Sequence, residues 1–216
     1  MKLVSGLLDL LFPPKCMFCR KVLPYGKHGA CEKCLEELRY QNLQKRGDYF
    51  LRCCAPLSYE GTVREAFIRY KFGGQSGYAT EFARIMAKCI RDNLDGQYDM
   101  ITWVPVSGQR RKERGYDQAM LLAMAVALEL GDVAVETLEK PMDNAAQSGL
   151  QGAEARQKNV KGAYTVVDRD LVEGKRILLI DDVITTGATL DEASKTLLKN
   201  GAQAVLCAAL AMTPHD

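Results

Sequence analysis

The feature that most constrains the fold is an apolar run that ends in two adjacent aspartates. In the stretch RILLIDDVITTGATL, residues 176–190, four aliphatic residues precede Asp181 and Asp182, and small residues with hydroxyl groups follow. A short, continuous apolar run is typical of a buried strand in a parallel sheet, and ligands bind beyond the carboxyl ends of such strands. We therefore expect both carboxylates at the ligand-binding edge of an α/β sheet.

Strand-like and helix-like segments alternate from residue 51 onwards. The predicted strands cover LRCCAPLSYEG, DMITWVPV, VAVETLE, GAYTVV, RILLID and AVLCAAL. The predicted helices cover TVREAFIRYKF, YATEFARIMAKCIRDNL, YDQAMLLAMAVALEL and TLDEASKTLLKNG, and in the first of them Val63, Ala66, Phe67 and Tyr70 share one face. This alternation predicts an α/β fold in which a mostly parallel sheet carries helices on both faces.

The eight cysteines fall into two groups. Cys16, Cys19, Cys31 and Cys34 form two Cys-x-x-Cys pairs separated by eleven residues, which suits a tetrahedral zinc site. Two disulfides or free thiols are the alternative, although no secretion signal favours disulfides. A site closed by four thiolates would serve folding rather than catalysis. The remaining cysteines lie in apolar surroundings and are expected to be buried and unreactive: Cys53, Cys54, Cys89 and Cys207.

Charge and length limit the domain organisation and the partners. The chain has 216 residues and a net charge of +2, so it is not built to coat nucleic acid along its whole surface. Residues 1–50 carry nine Lys and Arg against five Asp and Glu, so we expect any polyanionic partner at this end. We predict a zinc-binding module over residues 1–50 and an α/β domain over residues 51–216.

The opening segment MKLVSGLLDLLF has apolar residues at helical spacing, but it is shorter than the roughly twenty residues that cross a bilayer. It predicts an amphipathic helix packed on its own protein, with a role at a membrane surface as the alternative. It also lacks the cleavage site of a signal peptide. A cytoplasmic location is therefore expected.

The loop after Asp182 predicts a phosphate site. VITTGAT leads into a helix, and the N–H groups at a helix N-terminus bind anions, together here with threonine hydroxyls. Two adjacent carboxylates can accept hydrogen bonds from vicinal hydroxyls, so the combination suits a sugar phosphate. The acidic strand of a P-loop ATPase is excluded, because the chain has no G-x-x-x-x-G-K-[ST] motif. A strand capped by solvated aspartates is the remaining alternative, and it leaves the threonine-rich loop unexplained.

ILLIDDVITTGAT resembles the phosphoribosyl pyrophosphate (PRPP) signature of type I phosphoribosyltransferases. The resemblance implies that the two aspartates hold the ribose 2′ and 3′ hydroxyls, that residues 185–189 wrap the 5′-phosphate, and that VPVSG (104–108) contacts pyrophosphate. It also implies that the unperiodic segment 140–159 is a mobile catalytic loop. The residues so assigned to PRPP are Asp181, Asp182, Thr185, Thr186, Gly187, Ala188, Thr189, Val106, Ser107 and Gly108.

Displacement of pyrophosphate from ribose C1 requires cations and N–H donors around the leaving group, usually with bound Mg²⁺. The basic run SGQRRKERG adjoins VPVSG, although a solvated loop or a nucleic-acid patch is the alternative for such a run. The resemblance marks Arg111 and Arg114 there, and it places Arg156, with Gln147 and Asn159, on the mobile loop. Lys71 in YKFGG is a further candidate cation, with an ordinary surface lysine as the alternative.

Five features follow one another along the chain: the zinc pairs, YKFGGQ, RRKERGYDQA, QSGL…ARQKNVKGAY and LLIDDVITTGATL. Their order is similar to that of the ComF/ComFC family of competence-associated proteins, over nearly the whole chain. This similarity implies a type I phosphoribosyltransferase fold with an N-terminal zinc module, structural Zn²⁺, and Mg²⁺ bound with PRPP. Two functions follow. The first is transfer of ribose 5-phosphate to a nitrogen nucleophile. The second is a non-catalytic role in natural transformation, with single-stranded DNA and a competence helicase as partners.

Overall fold

The computed structural model describes residues 13–38, 40–75, 77–141 and 162–214, and for Arg110 and Arg114 it describes the backbone alone. The helices are α1 (Glu32–Glu37), α2 (Gly61–Phe72), α3 (Tyr78–Leu94), α4 (Gly108–Arg114), α5 (Gln118–Leu130) and α6 (Ala188–Lys199), with a 3₁₀ turn at Arg169–Leu171. The strands are β1 (Leu43–Lys45), β2 (Cys53–Ala55), β3 (Leu57–Ser58), β4 (Met100–Trp103), β5 (Leu138–Glu139), β6 (Thr165–Val166), β7 (Arg176–Ile184) and β8 (Ala204–Met212).

The main sheet has six strands in the order β1-β2-β8-β7-β4, with β3 also paired to β8. All pairs are parallel except β1 with β2. Side chains alternate across β7, so Leu178 and Ile180 pack with α2, α3 and α5, whereas Leu179 packs with α6 on the other face. The predicted mostly parallel sheet with helices on both faces is confirmed.

The helical prediction for α2 is confirmed residue by residue, because its buried residues are Val63, Ala66, Phe67 and Tyr70. Such agreement is expected where one apolar stripe faces the core.

Three local predictions need correction. The strand predicted as RILLID continues to Ile184, because β8 pairs with it along that length. The segments VAVETLE and GAYTVV contribute the short strands β5 and β6, which form a separate antiparallel pair, and Ala134 of VAVETLE makes a single parallel bridge to Ile101 of β4. LRCCAPLSYEG forms two short strands rather than one. The basic run after VPVSG, for which a solvated loop was an alternative, forms helix α4, and Gly108 is the first residue of that helix.

The zinc module shares its core with the rest of the chain. Met17 and Phe18 of CMFC are fully buried, and the Phe18 ring meets Phe82 of α3 edge-on with centroids 6.3 Å apart. Arg69 of α2 donates to the carbonyl oxygens of Met17 and Phe18, both at 2.8 Å. In addition, β1 lies within residues 1–50 yet pairs with β2 of the main sheet. The predicted boundary at residue 50 stays a prediction.

Candidate functional site

Asp181 and Asp182 lie near the carboxyl end of β7, where they were expected. Successive side chains on a strand point to opposite faces, so the two carboxylates leave β7 on different sides. Asp181 lines a small pocket with residues 183–190, and its Oδ1 accepts from the Asp182 N–H at 2.7 Å. Burial, and then the neighbouring charge of Asp182, raise the pKa of Asp181 to about 8.

Lys71 is paired with the second aspartate. Its Nζ lies 2.7 Å from Asp182 Oδ2 and 4.7 Å from the ring centroid of Phe67, and both partners of the ion pair are largely buried. Lys71 is therefore not a solvated surface lysine, and its role as a catalytic cation stays a prediction. The geometry gives it a defined ion pair with the carboxylate assigned to the ribose hydroxyls.

The loop 185–189 has the form expected of an anion-binding turn. Gly187 adopts φ 93°, a left-handed conformation that favours glycine, and it caps α6 without a side chain. The Ala188 N–H donates to Thr186 Oγ1 at 3.3 Å, and Thr185, Thr186 and Thr189 line the same pocket as Asp181. The arrangement brings one carboxylate, hydroxyl groups and a helix N-terminus together.

The segment 104–108 connects β4 to α4. Ser107 is buried and its carbonyl accepts from the Arg111 N–H at 2.9 Å, whereas the Arg111 side chain is exposed. Arg114 also lies on α4, but its side chain is outside the described residues, as are Arg156, Gln147 and Asn159. The grouping of these cations around pyrophosphate therefore stays a prediction.

Two residues near the site were missed by sequence reasoning. Lys45 of β1 donates to the Thr185 carbonyl at 3.2 Å, across 140 positions of sequence, and no local pattern could reveal this contact. Asp117 is buried beside the segment 104–108, and its Oδ2 accepts from the Val106 N–H at 3.1 Å. The sequence could have indicated the capping role of Asp117, because an aspartate directly before an apolar helix is a typical N-cap.

The four N-terminal cysteines form a candidate zinc centre. Their Sγ atoms all lie within 4.8 Å of one another, and the Sγ atoms of Cys19 and Cys31 are 3.7 Å apart. Tetrahedral zinc with Zn–S bonds of about 2.3 Å places its sulfurs about 3.8 Å apart, so the cluster fits zinc. Burial raises the pKa of the Cys16 thiol, but hydrogen bonds from backbone N–H groups outweigh this effect and lower the pKa to about 6, with the largest contribution from the N–H of Cys31. Burial and the neighbouring thiols raise the pKa of Cys34.

The other four cysteines are buried as expected. Burial raises the pKa of Cys53 and Cys207. His28 of the zinc module is exposed.

Two family models match the chain: the phosphoribosyl transferase domain over residues 116–216 and the double zinc ribbon domain over residues 7–64. The competence protein F of Haemophilus influenzae is 28% identical over an alignment of 215 positions, which covers 88% of this chain and 93% of that protein. The DNA utilization protein YhgH of Salmonella typhimurium is 28% identical over 91% of this chain and 96% of its own length. The competence protein ComFC of Bacillus subtilis is 27% identical over 86% of this chain and 72% of its own length.

The chain belongs to the ComF/ComFC family. Its main sheet with helices on both faces is the type I phosphoribosyltransferase fold, and the four-cysteine cluster is an N-terminal zinc ribbon. The ribbon match and the sulfur geometry together support structural zinc. Among the described residues, no helix of this ComF/ComFC protein combines the length and the apolar character that crossing a membrane requires.

Proposed function

We propose that this protein binds PRPP with Mg²⁺ at the carboxyl end of β7 and acts as a phosphoribosyltransferase. The observation that carries the proposal is the pocket that Asp181 shares with residues 185–189 at the start of α6. The threonine hydroxyls and the first N–H groups of α6 suit a 5′-phosphate. The neighbouring residues Asp181 and Asp182 suit the two ribose hydroxyls as hydrogen-bond acceptors.

The reaction would break the bond between ribose C1 and the pyrophosphate oxygen while a nitrogen nucleophile bonds to C1. Mg²⁺ usually binds through one or two carboxylates together with substrate phosphates, so Asp181, which lines the pocket, would hold the metal beside PRPP, and Mg²⁺ would offset the negative charge of the leaving group. The loop 104–108, together with Arg111, Arg114 and Arg156, would stabilise that charge. Lys71 would hold Asp182 in place through their 2.7 Å ion pair.

The test is thermal unfolding with and without PRPP and Mg²⁺. Binding should raise the midpoint temperature, because a ligand that binds only the folded state stabilises it. The double change Asp181→Asn and Asp182→Asn should remove the shift. The matched change Asp168→Asn and Asp170→Asn, at exposed positions of the 3₁₀ turn, should retain it. An equal shift in both double variants would reject the site.

Turnover is tested separately by release of pyrophosphate. With PRPP and Mg²⁺, the wild-type protein should release pyrophosphate when a suitable nitrogen acceptor is present, or slowly by hydrolysis without one. A protein that binds PRPP and releases no pyrophosphate across a broad panel of acceptors would be a binding protein rather than an enzyme.

A role in DNA uptake is the second candidate function, and the family membership supports it. Relatives named for competence and DNA utilization match about nine-tenths of this chain. The proposed partners are single-stranded DNA, contacted by the basic zinc module, and a helicase. The proposed location is the cytoplasm, where unpaired cysteines remain reduced and available to zinc.

The DNA contact is tested by the salt dependence of binding to a single-stranded oligonucleotide. Neutralising the exposed Lys21 and Lys27 of the zinc module should reduce the slope of log K against log salt by about 1.4, since each of the two phosphate contacts contributes about 0.7. Neutralising the exposed Lys175 and Lys199 is the matched control and should leave the slope unchanged. Equal slopes in both variants would show that Lys21 and Lys27 of the zinc module do not contact DNA.

A further inference from the structure

Residues 116–118 connect the parts of the proposed PRPP site. The Tyr116 hydroxyl donates to the carbonyl of Tyr70, and the Tyr70 hydroxyl donates to the carbonyl of Gln118 at 2.8 Å. The Gln118 amide reaches the carbonyl of Lys71 at 3.4 Å. The last turn of α2, which carries the lysine paired with Asp182, is thereby fixed to the start of α5.

Asp117, at the centre of this segment, connects α5 to the loop 104–108. Its side chain is 5% exposed, and each carboxylate oxygen has its own N–H donor. Oδ1 accepts from the Met120 N–H at 3.0 Å, which caps α5, and Oδ2 accepts from the Val106 N–H at 3.1 Å. Hydrogen bonds to an ionised acceptor are stronger than neutral ones, so this carboxylate restrains both segments at once.

We infer that Asp117 is a positioning residue for pyrophosphate: it fixes the backbone of the loop 104–108 so that the loop can receive the leaving group. The inference rests on the proposed function, because the loop is a pyrophosphate site only if the protein binds PRPP. Asp117 acts through Val106 and does not itself contact the ligand. Its oxygens face two backbone donors, unlike Asp182, whose Oδ2 faces the ammonium of Lys71.

The test compares two ligands that occupy different halves of the proposed site: inorganic pyrophosphate with Mg²⁺, and ribose 5-phosphate. Asp117→Ser keeps a good N-cap for α5 but is too short to reach Val106 as well. Titration calorimetry should show at least a tenfold loss of pyrophosphate affinity in this variant, while the ribose 5-phosphate affinity stays within about twofold. Amide hydrogen exchange of Val106 should also become faster.

Asp168→Ser is the matched control, because Asp168 caps the 3₁₀ turn in the same way, through the Asp170 N–H at 2.9 Å. It should leave both affinities unchanged. Asp117→Asn keeps the shape of the side chain but offers one accepting oxygen in place of two. It is the second variant, should the serine variant fail to fold, and it should show a smaller loss confined to pyrophosphate.

Equal weakening of both ligands in a folded Asp117 variant would overturn the positioning role, as would an unchanged pyrophosphate affinity. A wild-type protein that binds neither ligand would instead refute the proposed function, and this inference with it. A wild-type protein that binds both ligands, beside an Asp117 variant that loses them equally, would refute the inference alone.

Discussion

The neighbouring carboxylates near the end of β7 should make stability depend on pH in a specific direction. The pKa of Asp181 is raised from its ordinary value of 3.8 to about 8, by burial and then by Asp182. The unfolded chain releases this proton above about pH 4, whereas the folded protein retains it until about pH 8. The stabilising contribution of the group is therefore complete below about pH 4 and is lost as the pH rises to about 8.

The size of the effect follows from the shift. Each pH unit between the two pKa values corresponds to about 1.36 kcal/mol, so the two units from pH 5 to pH 7 correspond to roughly 3 kcal/mol. Asp181→Asn removes the ionisation while it retains the shape of the side chain. The free energy of unfolding of the variant, relative to wild type, should therefore rise by up to roughly 3 kcal/mol from pH 5 to pH 7.

The assay is urea unfolding of both proteins at pH 5 and pH 7. Most other titrating groups are common to both proteins and cancel in the difference. Asp168→Asn, at an exposed position, is the control and should show a difference that does not change with pH. A constant difference for Asp181→Asn, or one that falls as the pH rises, would refute the raised pKa.

Three further perturbations test the packing around the site and the zinc module. Lys71→Met should lower the free energy of unfolding by about 3 kcal/mol, because it leaves Asp182 buried without its partner. Lys88→Met breaks an exposed ion pair and should lower the free energy of unfolding by less than about 1 kcal/mol. Equal losses for the two variants in urea unfolding would contradict the buried pair. Phe18→Ala should lower the free energy of unfolding by about 3–5 kcal/mol, because Phe18 is fully buried. Tyr25→Ala, at a residue that is 79% exposed, should leave the free energy of unfolding almost unchanged. A small loss for Phe18→Ala would argue against a core shared by the zinc module and the rest of the chain. Removal of zinc by a chelator should lower the unfolding temperature, and metal analysis should find one zinc per four-cysteine cluster. A folded protein purified without zinc, or an unfolding temperature that does not change when zinc is removed, would contradict structural zinc.

Much of the fold could be predicted from the sequence, because the patterns that define it are local. The buried face of α2 follows from apolar residues at helical spacing, and the cysteine spacing predicted which four thiols meet. Helix α4 was missed because its sequence, GQRRKER, has no apolar stripe. Strand β1 was missed because its three residues carry no clear alternation.

The position of the candidate site was also predictable, since Asp181 and the threonine-rich loop are contiguous in sequence. The contacts that shape it were not, because they join distant parts of the chain. Lys71 meets Asp182 and Lys45 meets Thr185 only after the sheet has formed. A lysine in a helix or an edge strand carries no sign of which carbonyl or carboxylate it will contact.

The central claim is that the end of β7 and the loop 185–189 bind PRPP, and the most direct test is a crystal structure of the protein soaked with PRPP and Mg²⁺. We predict the 5′-phosphate against residues 185–189, with the ribose hydroxyls at Asp181 and Asp182. Clear density for PRPP at another place, or an empty pocket in crystals of a protein that binds PRPP in solution, would contradict the claim.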